Sequence, residues 1–372
     1  MAATNFSRMT DEEKTIWSMD FWEQARNNSF LNKFTGSSAD ALVQRISELK
    51  KTEKGARAVI TLVADLVGDG IAGDRTLEGN EEQMASYDQV IQIDQLRHAN
   101  RNEGKMAEQR SVVTFREQSR DKLAYWMADR SDQMAFLTMS GVDYAYHTNG
   151  ASRVGSDLPF LEYAADVSAP TANRHRRWDA TLGLQAGDTA AVEGGDTPSW
   201  GMLVELKAYA KDNFLRPIRT KDGIAFYHVF MTPLGMAKLK QDSDYLANVR
   251  NAGVRGPGNE LFKGTDTVFV DGLAISEYRH VYNTKGLISG TDKWGSSQDV
   301  DGQRVLFCGA QALGYADIGD ADWEEKGFDY DNQQGISIGK IFGFLKPVFH
   351  TNVTDSDEDF GVICCDTAIE DA

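Results

Sequence analysis

Between Arg57 and Gly141 the pattern of hydrophobic and polar positions changes period twice. Ala58-Val59-Ile60-Thr61-Leu62-Val63-Ala64-Asp65-Leu66 is dense in β-branched residues and predicts a strand. A glycine-rich, acidic tip follows, in which Gly68, Gly70, Gly73 and Gly79 stand among Asp69, Asp74, Arg75, Glu78, Glu81 and Glu82. The chain returns through Tyr87 to Leu96, where polar residues interrupt the apolar ones. A hairpin this polar has too little apolar surface to act as a core element. It is therefore expected to project from the body and to find its partner on another molecule. From Lys105 to Ser140 neither Gly nor Pro interrupts the chain, and Phe115, Ser119, Leu123, Trp126, Arg130, Met134 and Leu137 recur on one helical face. About thirty residues of that pattern predict a strut of roughly 45 Å, ended by Gly141.

Residues 10–56 read as two helices in a segmented arm. Thr10 and Glu13 fit a capping box, with Ile16, Trp17, Phe21 and Trp22 forming the apolar stripe behind it. Leu42, Val43, Ile46 and Leu49 recur at helical spacing in the second, which Gly55 stops. Residues 141–199 carry no firm periodicity. Beyond them, Met202 to Phe214 predicts a helix, Ile224 to Met231 a strand, and Thr232-Pro233 the opening of a short helix through Leu239. Val268-Phe269-Val270, Asp271-Gly272 and Leu273 to Tyr278 form a hairpin signal. Gln303–Cys308, Ile336–Phe344 and Phe360–Cys365 predict further strands. Helices and strands mixed without regular alternation point to an α+β fold.

A length of 372 residues allows two or three domains or one large elaborated one. A net charge of −17 argues against general nucleic-acid binding, whose affinity comes from phosphate neutralisation. It remains compatible with a container whose inner face must not stick to nucleic acid. The Arg174-His175-Arg176-Arg177-Trp178 cluster reads as a solvated loop making ion pairs. The three cysteines offer no disulfide framework. Cys364 and Cys365, adjacent in a predicted strand, should face opposite ways as buried thiols. No run approaches ~18 apolar residues, so no membrane helix is expected, and the N-terminus does not read as a signal peptide.

Two motifs suggest enzymes. Gly68-Asp69-Gly70-Ile71-Ala72-Gly73 matches a dinucleotide fingerprint, with Asp88 farther on. That fingerprint needs a helix to start at the glycines, but Asp74 to Asn80 has no helical apolar stripe, and Asp69 and Asp74 would face the phosphates. Gly335-Ile336-Ser337-Ile338-Gly339 matches a nucleophile elbow, yet the chain runs on as extended sequence and His350 precedes Asp355 and Asp357. Asp65, Asp69, Asp74 and Glu78 miss the EF-hand spacing for Ca²⁺. No catalytic residue, cofactor or metal is expected. A soluble nucleotide-dependent enzyme using the Gly68–Gly73 loop stands as the alternative, and an acidic surface-layer protein as a third reading.

The order of elements resembles the major capsid protein of tailed phages with the Hong Kong 97 (HK97) type of fold, and within it the N4-like branch. The residues that carry the likeness are Leu49-Lys50-Lys51-Thr52-Glu53-Lys54-Gly55, Gly68-Asp69-Gly70, Gly73-Asp74-Arg75-Thr76-Leu77-Glu78-Gly79-Asn80-Glu81 and Gln92-Ile93-Asp94-Gln95-Leu96-Arg97-His98. Asn251-Ala252-Gly253-Val254-Arg255-Gly256 and Trp323-Glu324-Glu325-Lys326-Gly327-Phe328-Asp329-Tyr330 continue it.

This resemblance implies a self-assembling shell subunit, not an enzyme, forming hexamers and pentamers of an icosahedral head that encloses double-stranded DNA without reading its sequence. It implies an N-terminal arm at 1–57, an extended E-loop hairpin and its return at 58–110, and a peripheral domain at 111–200 with a spine helix at 111–140. A mainly axial domain at 201–335 and C-terminal strands at 336–372 complete it. Gly68, Asp69, Gly70, Gly73, Asp74, Arg75, Glu78, Glu81 and Glu82 at the tip, and Trp17, Phe21 and Trp22 in the arm, become the expected inter-subunit contacts. No lysine lies between Val67 and Ser86, so a covalent lock rooted in the tip is not expected. A separate scaffolding protein, a portal and cement or decoration proteins are the expected partners. The virion capsid is the expected location, after assembly in the host cytoplasm and away from any membrane.

Overall fold

The computed structural model describes residues 25, 29–47, 57–63, 69–82, 86–110, 114–220, 223–252, 267–351 and 356–369. The predicted first arm helix with Trp17, Phe21 and Trp22 lies outside them, as do Gly68 and Leu49.

The strands in chain order begin with β1 (Thr35–Gly36), β2 (Val43–Ile46), β3 (Arg57–Val63), β4 (Ser86–Gln92) and β5 (Asp94–Arg101). Helices α1 (Lys105–Arg110) and α2 (Phe115–Ser140) come next, then β6 (His175–Asp179), β7 (Gly183–Ala186) and α3 (Trp200–Asp212). After these lie β8 (Ile218–Arg219), β9 (Ala225–Met231), α4 (Pro233–Gln241), α5 (Ser243–Ala252), β10 (Thr267–Val270) and β11 (Leu273–Glu277). The chain closes with β12 (Gly302–Cys308), β13 (Leu313–Asp317), β14 (Asp322–Phe328), β15 (Gln333–Leu345), β16 (Val348–Thr351), β17 (Ser356–Asp359) and β18 (Val362–Ala368).

Two sheets organise these elements. One runs β1-β2-β13-β15-β14, with β5 on the other edge of β15; the other runs β10-β11-β9-β12-β18-β6-β7, with β8 on β9. The two hairpins β3–β4 and β16–β17 stand apart as pairs. The α+β class follows; the first sheet joins strands from residues 35–101 to strands from 313–345, and the longer one is built from residues 175–368.

Both faces of the longer sheet are buried. Leu306, Cys308, Phe230 and Cys364 face a core shared with α2 through Leu123, Met127 and Phe136. Val305, Phe307, Val229 and Cys365 face the opposite core, filled by Leu203 and Leu206 of α3 and Leu239 of α4. Cys364 and Cys365 thus sit in different cores, as strand alternation requires, and burial pushes the Cys364 thiol up to about 12.

Four expectations need correction. Val43–Ile46 is a strand paired in parallel with β13, not part of a helix. Val43 and Ile46, three apart, share a helical face but in the strand enter different cores, and pairing with a distant strand overrides the local period. The long helical pattern is not one helix: α2 starts at Phe115 after an extended Thr114 and has 26 residues, about 39 Å. Its last turns, from Asp132 to Ser140, are buried on every side, so a one-face stripe describes only the earlier part. The basic cluster is no solvated loop, because His175–Trp178 lies in β6 beside β18. Arg174 is buried there against Glu358 at 3.0 Å, and His175 lies 2.6 Å from Asp366. Finally, the hairpin is not devoid of core. Ala58, Ile60, Ile91 and Ile93 are buried with Ile46, Ala316, Leu345 and Phe349.

Candidate assembly surfaces

The hairpin divides into an exposed tip and a seated root. At the tip, Asp69, Gly70, Gly73, Asp74, Arg75, Glu78, Glu81 and Glu82 are all exposed. Gly70, Gly73 and Gly79 have positive φ, and a Cβ on any of them would meet nothing within 4 Å. Their role is backbone conformation rather than close packing. Local bonds shape the turn: the Gly79 N–H donates to Glu81 Oε2 at 2.7 Å, and the Asn80 N–H to the Leu77 carbonyl at 3.0 Å. No helix begins among residues 69–82, so the amides that a pyrophosphate would need are not presented by a helix end. Ser337 of the elbow-like motif lies inside β15, in register with Glu324. Strand continues where the elbow needs a sharp turn.

At the root, β3 and β4 pair in register from Arg57↔Gln92 to Val63↔Ser86. Ile60 and Ile91 rest where two neighbouring strands carry glycine. A Cβ at Gly314 would lie 2.3 Å from Ile60 Cδ1, and one at Gly343 would lie 2.0 Å from the Gln92 carbonyl oxygen. The bare backbone of β13 and β15 forms the floor. Gln89 reaches sideways from β4 to β16: its Nε2 donates to the Val348 carbonyl, while Val348 N–H donates to Gln89 Oε1 at 2.9 Å. Gln92 adds two long contacts to the Asp166 carboxylate, at 3.4 and 3.5 Å.

A second assembly of residues ties the arm to the body. Asp132, on α2 and 1% exposed, accepts from Ser29 Oγ at 2.7 Å, from the backbone of Phe30 at 2.8 Å and from Tyr278 Oη at 2.7 Å. Phe30 stacks on Tyr278 with 4.0 Å between ring centroids, and Phe34 lies 4.6 Å from the His228 ring. Burial raises the Asp132 carboxyl above its ordinary range despite those hydrogen bonds. Three parts of the chain therefore meet at one carboxylate: the arm, the long helix and the turn that follows β11.

Two charged joints fix α2. Arg116, in its first turn, forks onto Glu325 of β14 at 3.0 and 2.8 Å. Farther along, Asp129 lies 2.8 Å from His280 Nε2 and also contacts Arg279. Burial would raise the Asp129 carboxyl, but the His280 hydrogen bond and the charges of His280, Arg279 and Arg130 hold it below its usual range.

The tip residues were readable as a group because glycine and acid concentrate there. Gln89, Asp132, Gly314 and Gly343 were not singled out. Each acts on a residue far away in the chain, and no local period marks it.

The comparisons agree with this architecture. A family model described as "Phage capsid protein" matches residues 5–370. The major capsid protein of Pseudomonas phage KPP25 is 58% identical over 363 residues, 97% of this chain and 96% of that one. Among solved structures, the capsid of Ralstonia phage GP4 aligns with a TM-score of 0.75 at 25% identity, covering 92% of each chain. The capsid of cyanophage Pam1 aligns with a TM-score of 0.70 at 15% identity, over 99% of this chain and 96% of that one, a likeness of fold alone.

Proposed function

The chain belongs to the phage capsid protein family, and from that premise we propose how its parts build a shell. Its fold is the HK97-type capsid fold, and it is the major capsid protein of a phage head, assembled from many copies into the virion shell. The observation that carries this function is identity of 58% with a major capsid protein along nearly the whole of both chains.

In this reading the subunits form hexamers and pentamers around double-stranded DNA, in the host cytoplasm, without catalysis. The β3–β4 hairpin is the E-loop, and its tip lies across a neighbouring subunit. Asp69, Asp74, Arg75, Glu78, Glu81 and Glu82 make ionic and hydrogen-bonded contacts there that are individually weak but repeated in every copy. The exposure of all six supports this. Gly70, Gly73 and Gly79, all with positive φ, give that loop its turn. The arm with Trp17, Phe21 and Trp22 reaches an adjacent subunit. Residues 111–200, with α2 as the spine, form the peripheral domain, residues 201–335 mainly the axial domain, and the C-terminal strands of 336–372 return to the body. A separate scaffolding protein directs closure, a portal occupies one vertex, and cement or decoration proteins bind outside. Large interfaces repeated by rotation close such a shell.

Negative-stain microscopy with sedimentation velocity of the purified chain tests the reading. Rings or closed shells are expected, alone or on adding a scaffolding protein. A concentration-independent monomer under both conditions would contradict it. Deleting residues 69–82 should leave the body folded and reduce shell yield severely.

A further inference from the structure

The root of the hairpin combines two kinds of contact with different consequences. Ile60 and Ile91 lie on the glycine floor of Gly314 and Gly343. Apolar burial of this sort holds the hairpin down, but it is non-directional and resists rocking or sliding weakly. The directional contacts are the long ones of Gln92 to Asp166 and the closer pair that Gln89 makes nearer the tip. Tyr87, Gln89 and Ile91 alternate on the body-facing side of β4, while Ser86, Asp88 and Val90 are exposed. Gln89 is thus the polar position on that face, one step from Ile91 toward the tip. Its amide both donates to and accepts from Val348, as a neighbouring backbone would in a ladder. It occupies the edge of β16 opposite β17, the strand with which Val348 is in register at Asp359.

We propose that Gln89 is the positioning residue of the hairpin: through Val348 it sets the angle at which β3–β4 leaves the body, and so whether the tip reaches a second copy. This rests on the reading of the tip as an inter-subunit contact. A hydrogen bond constrains direction as well as distance, and two bonds from one planar amide remove the rotation that the apolar floor leaves free. A small angular change at the root becomes a large displacement at the tip.

The test uses the full-length chain with Gln89→Leu, Gln89→Glu and the deletion of residues 69–82. Readouts are thermal melting, hydrogen exchange at the Val348 amide, and shell yield by sedimentation and microscopy. Gln89→Leu should stay folded, lose protection at Val348 at least tenfold, and yield several-fold fewer closed shells. Gln89→Glu should match its loss of shells near neutrality, because a carboxylate has no proton to give the Val348 carbonyl, but should keep the Val348 amide protected, because it still accepts from that N–H. Below the ordinary glutamate value of about 4.3 the protonated acid again donates and accepts. Shell yield should then return toward the wild type measured at the same pH, while Gln89→Leu shows no such return. Normal shells from Gln89→Leu together with failure of the tip deletion would overturn the positioning role and leave the tip reading intact. Normal shells from both would remove the tip reading as well. Impaired Gln89→Leu without acid recovery of Gln89→Glu would reduce the residue to packing and also overturn the proposal.

Discussion

Arg304 and Asp366 face each other across β12 and β18 as a fork on a carboxylate, with Nε to Oδ1 at 2.8 Å and Nη2 to Oδ2 at 3.1 Å. The same guanidinium donates through Nη1 to the carbonyl of Ser140, the last residue of α2, at 2.8 Å. One buried cation therefore joins the longer sheet to the end of the long helix, and His175 approaches Asp366 from β6 at 2.6 Å. Desolvation opposes the charge on Asp366, but Arg304 and the His175 hydrogen bond outweigh it and hold the carboxyl below its usual range.

Asp366→Asn should therefore be strongly destabilising, by about 3–5 kcal/mol, since it leaves Arg304 buried without its counter-charge. The pH dependence has a definite sign. A carboxyl depressed in the folded state contributes stability above its unfolded value of about 3.9. That contribution disappears as pH falls through the lower folded value. Denaturant midpoints from pH 6 downward should show this acid loss in the wild type and a smaller one in the variant. Parallel curves would exclude the pair as the source.

His228 titrates with a different window. It is 3% exposed, its Nε2 is 3.0 Å from Ser276 Oγ, and burial lowers its value to about 3. The unfolded histidine takes a proton near 6.5 while the folded one stays neutral, so stability falls as pH drops from there toward 3. The slope approaches about 1.4 kcal/mol per pH unit, or roughly 2 kcal/mol by pH 5. His228→Gln should flatten the stability difference between pH 7 and pH 5. An unchanged slope would place the effect on another group.

The parts of the fold that announced themselves were those whose information is local. The Asp271-Gly272 turn, Thr232-Pro233 and the alternation in β12 and β18 all lie where their composition points, and Thr232 Oγ1 accepts from the Gly235 N–H at 3.1 Å. What stayed hidden depends on partners remote in the chain. Val43–Ile46 becomes a strand because Leu313–Ala316 offers it an edge. His175 belongs in a sheet because Asp366, 191 positions on, supplies its partner. The hairpin tip was legible from glycine and acid. Its seat was not, because it is made of what Gly314 and Gly343 lack, and an absent side chain leaves no periodic signal.

That seat makes a graded prediction. A methyl at Gly343 would meet a backbone oxygen, Gln92 O, at 2.0 Å, whereas one at Gly314 would meet the ends of Ile60 and Ile91 at 2.3 and 3.0 Å. Side-chain ends can turn aside and a paired backbone cannot. Gly343→Ala should cost on the order of 1–3 kcal/mol, and Gly314→Ala clearly less, by chemical denaturation. The reverse ranking would mean that β4 does not rest on this floor.

The anchoring of the arm can be separated from general stability through Asp132. Truncation to alanine strips the acceptor from Ser29, Tyr278 and the backbone of Phe30 at once, at a cost of about 1–3 kcal/mol for buried donors left unpaired. Because burial raises this carboxyl in the folded state, its ionisation opposes folding. The penalty is absent below the unfolded value of about 3.9 and grows as pH rises through the folded one. Asp132→Asn keeps an acceptor oxygen and removes the charge, so it should be milder than alanine and should abolish this site's pH dependence. Limited proteolysis should cut near residues 29–35 faster in Asp132→Ala than in Asp132→Asn, with the rest of the chain equally resistant. Equal cleavage of the two variants would show that the stacked Phe30 and Tyr278 rings, not the carboxylate, hold the arm.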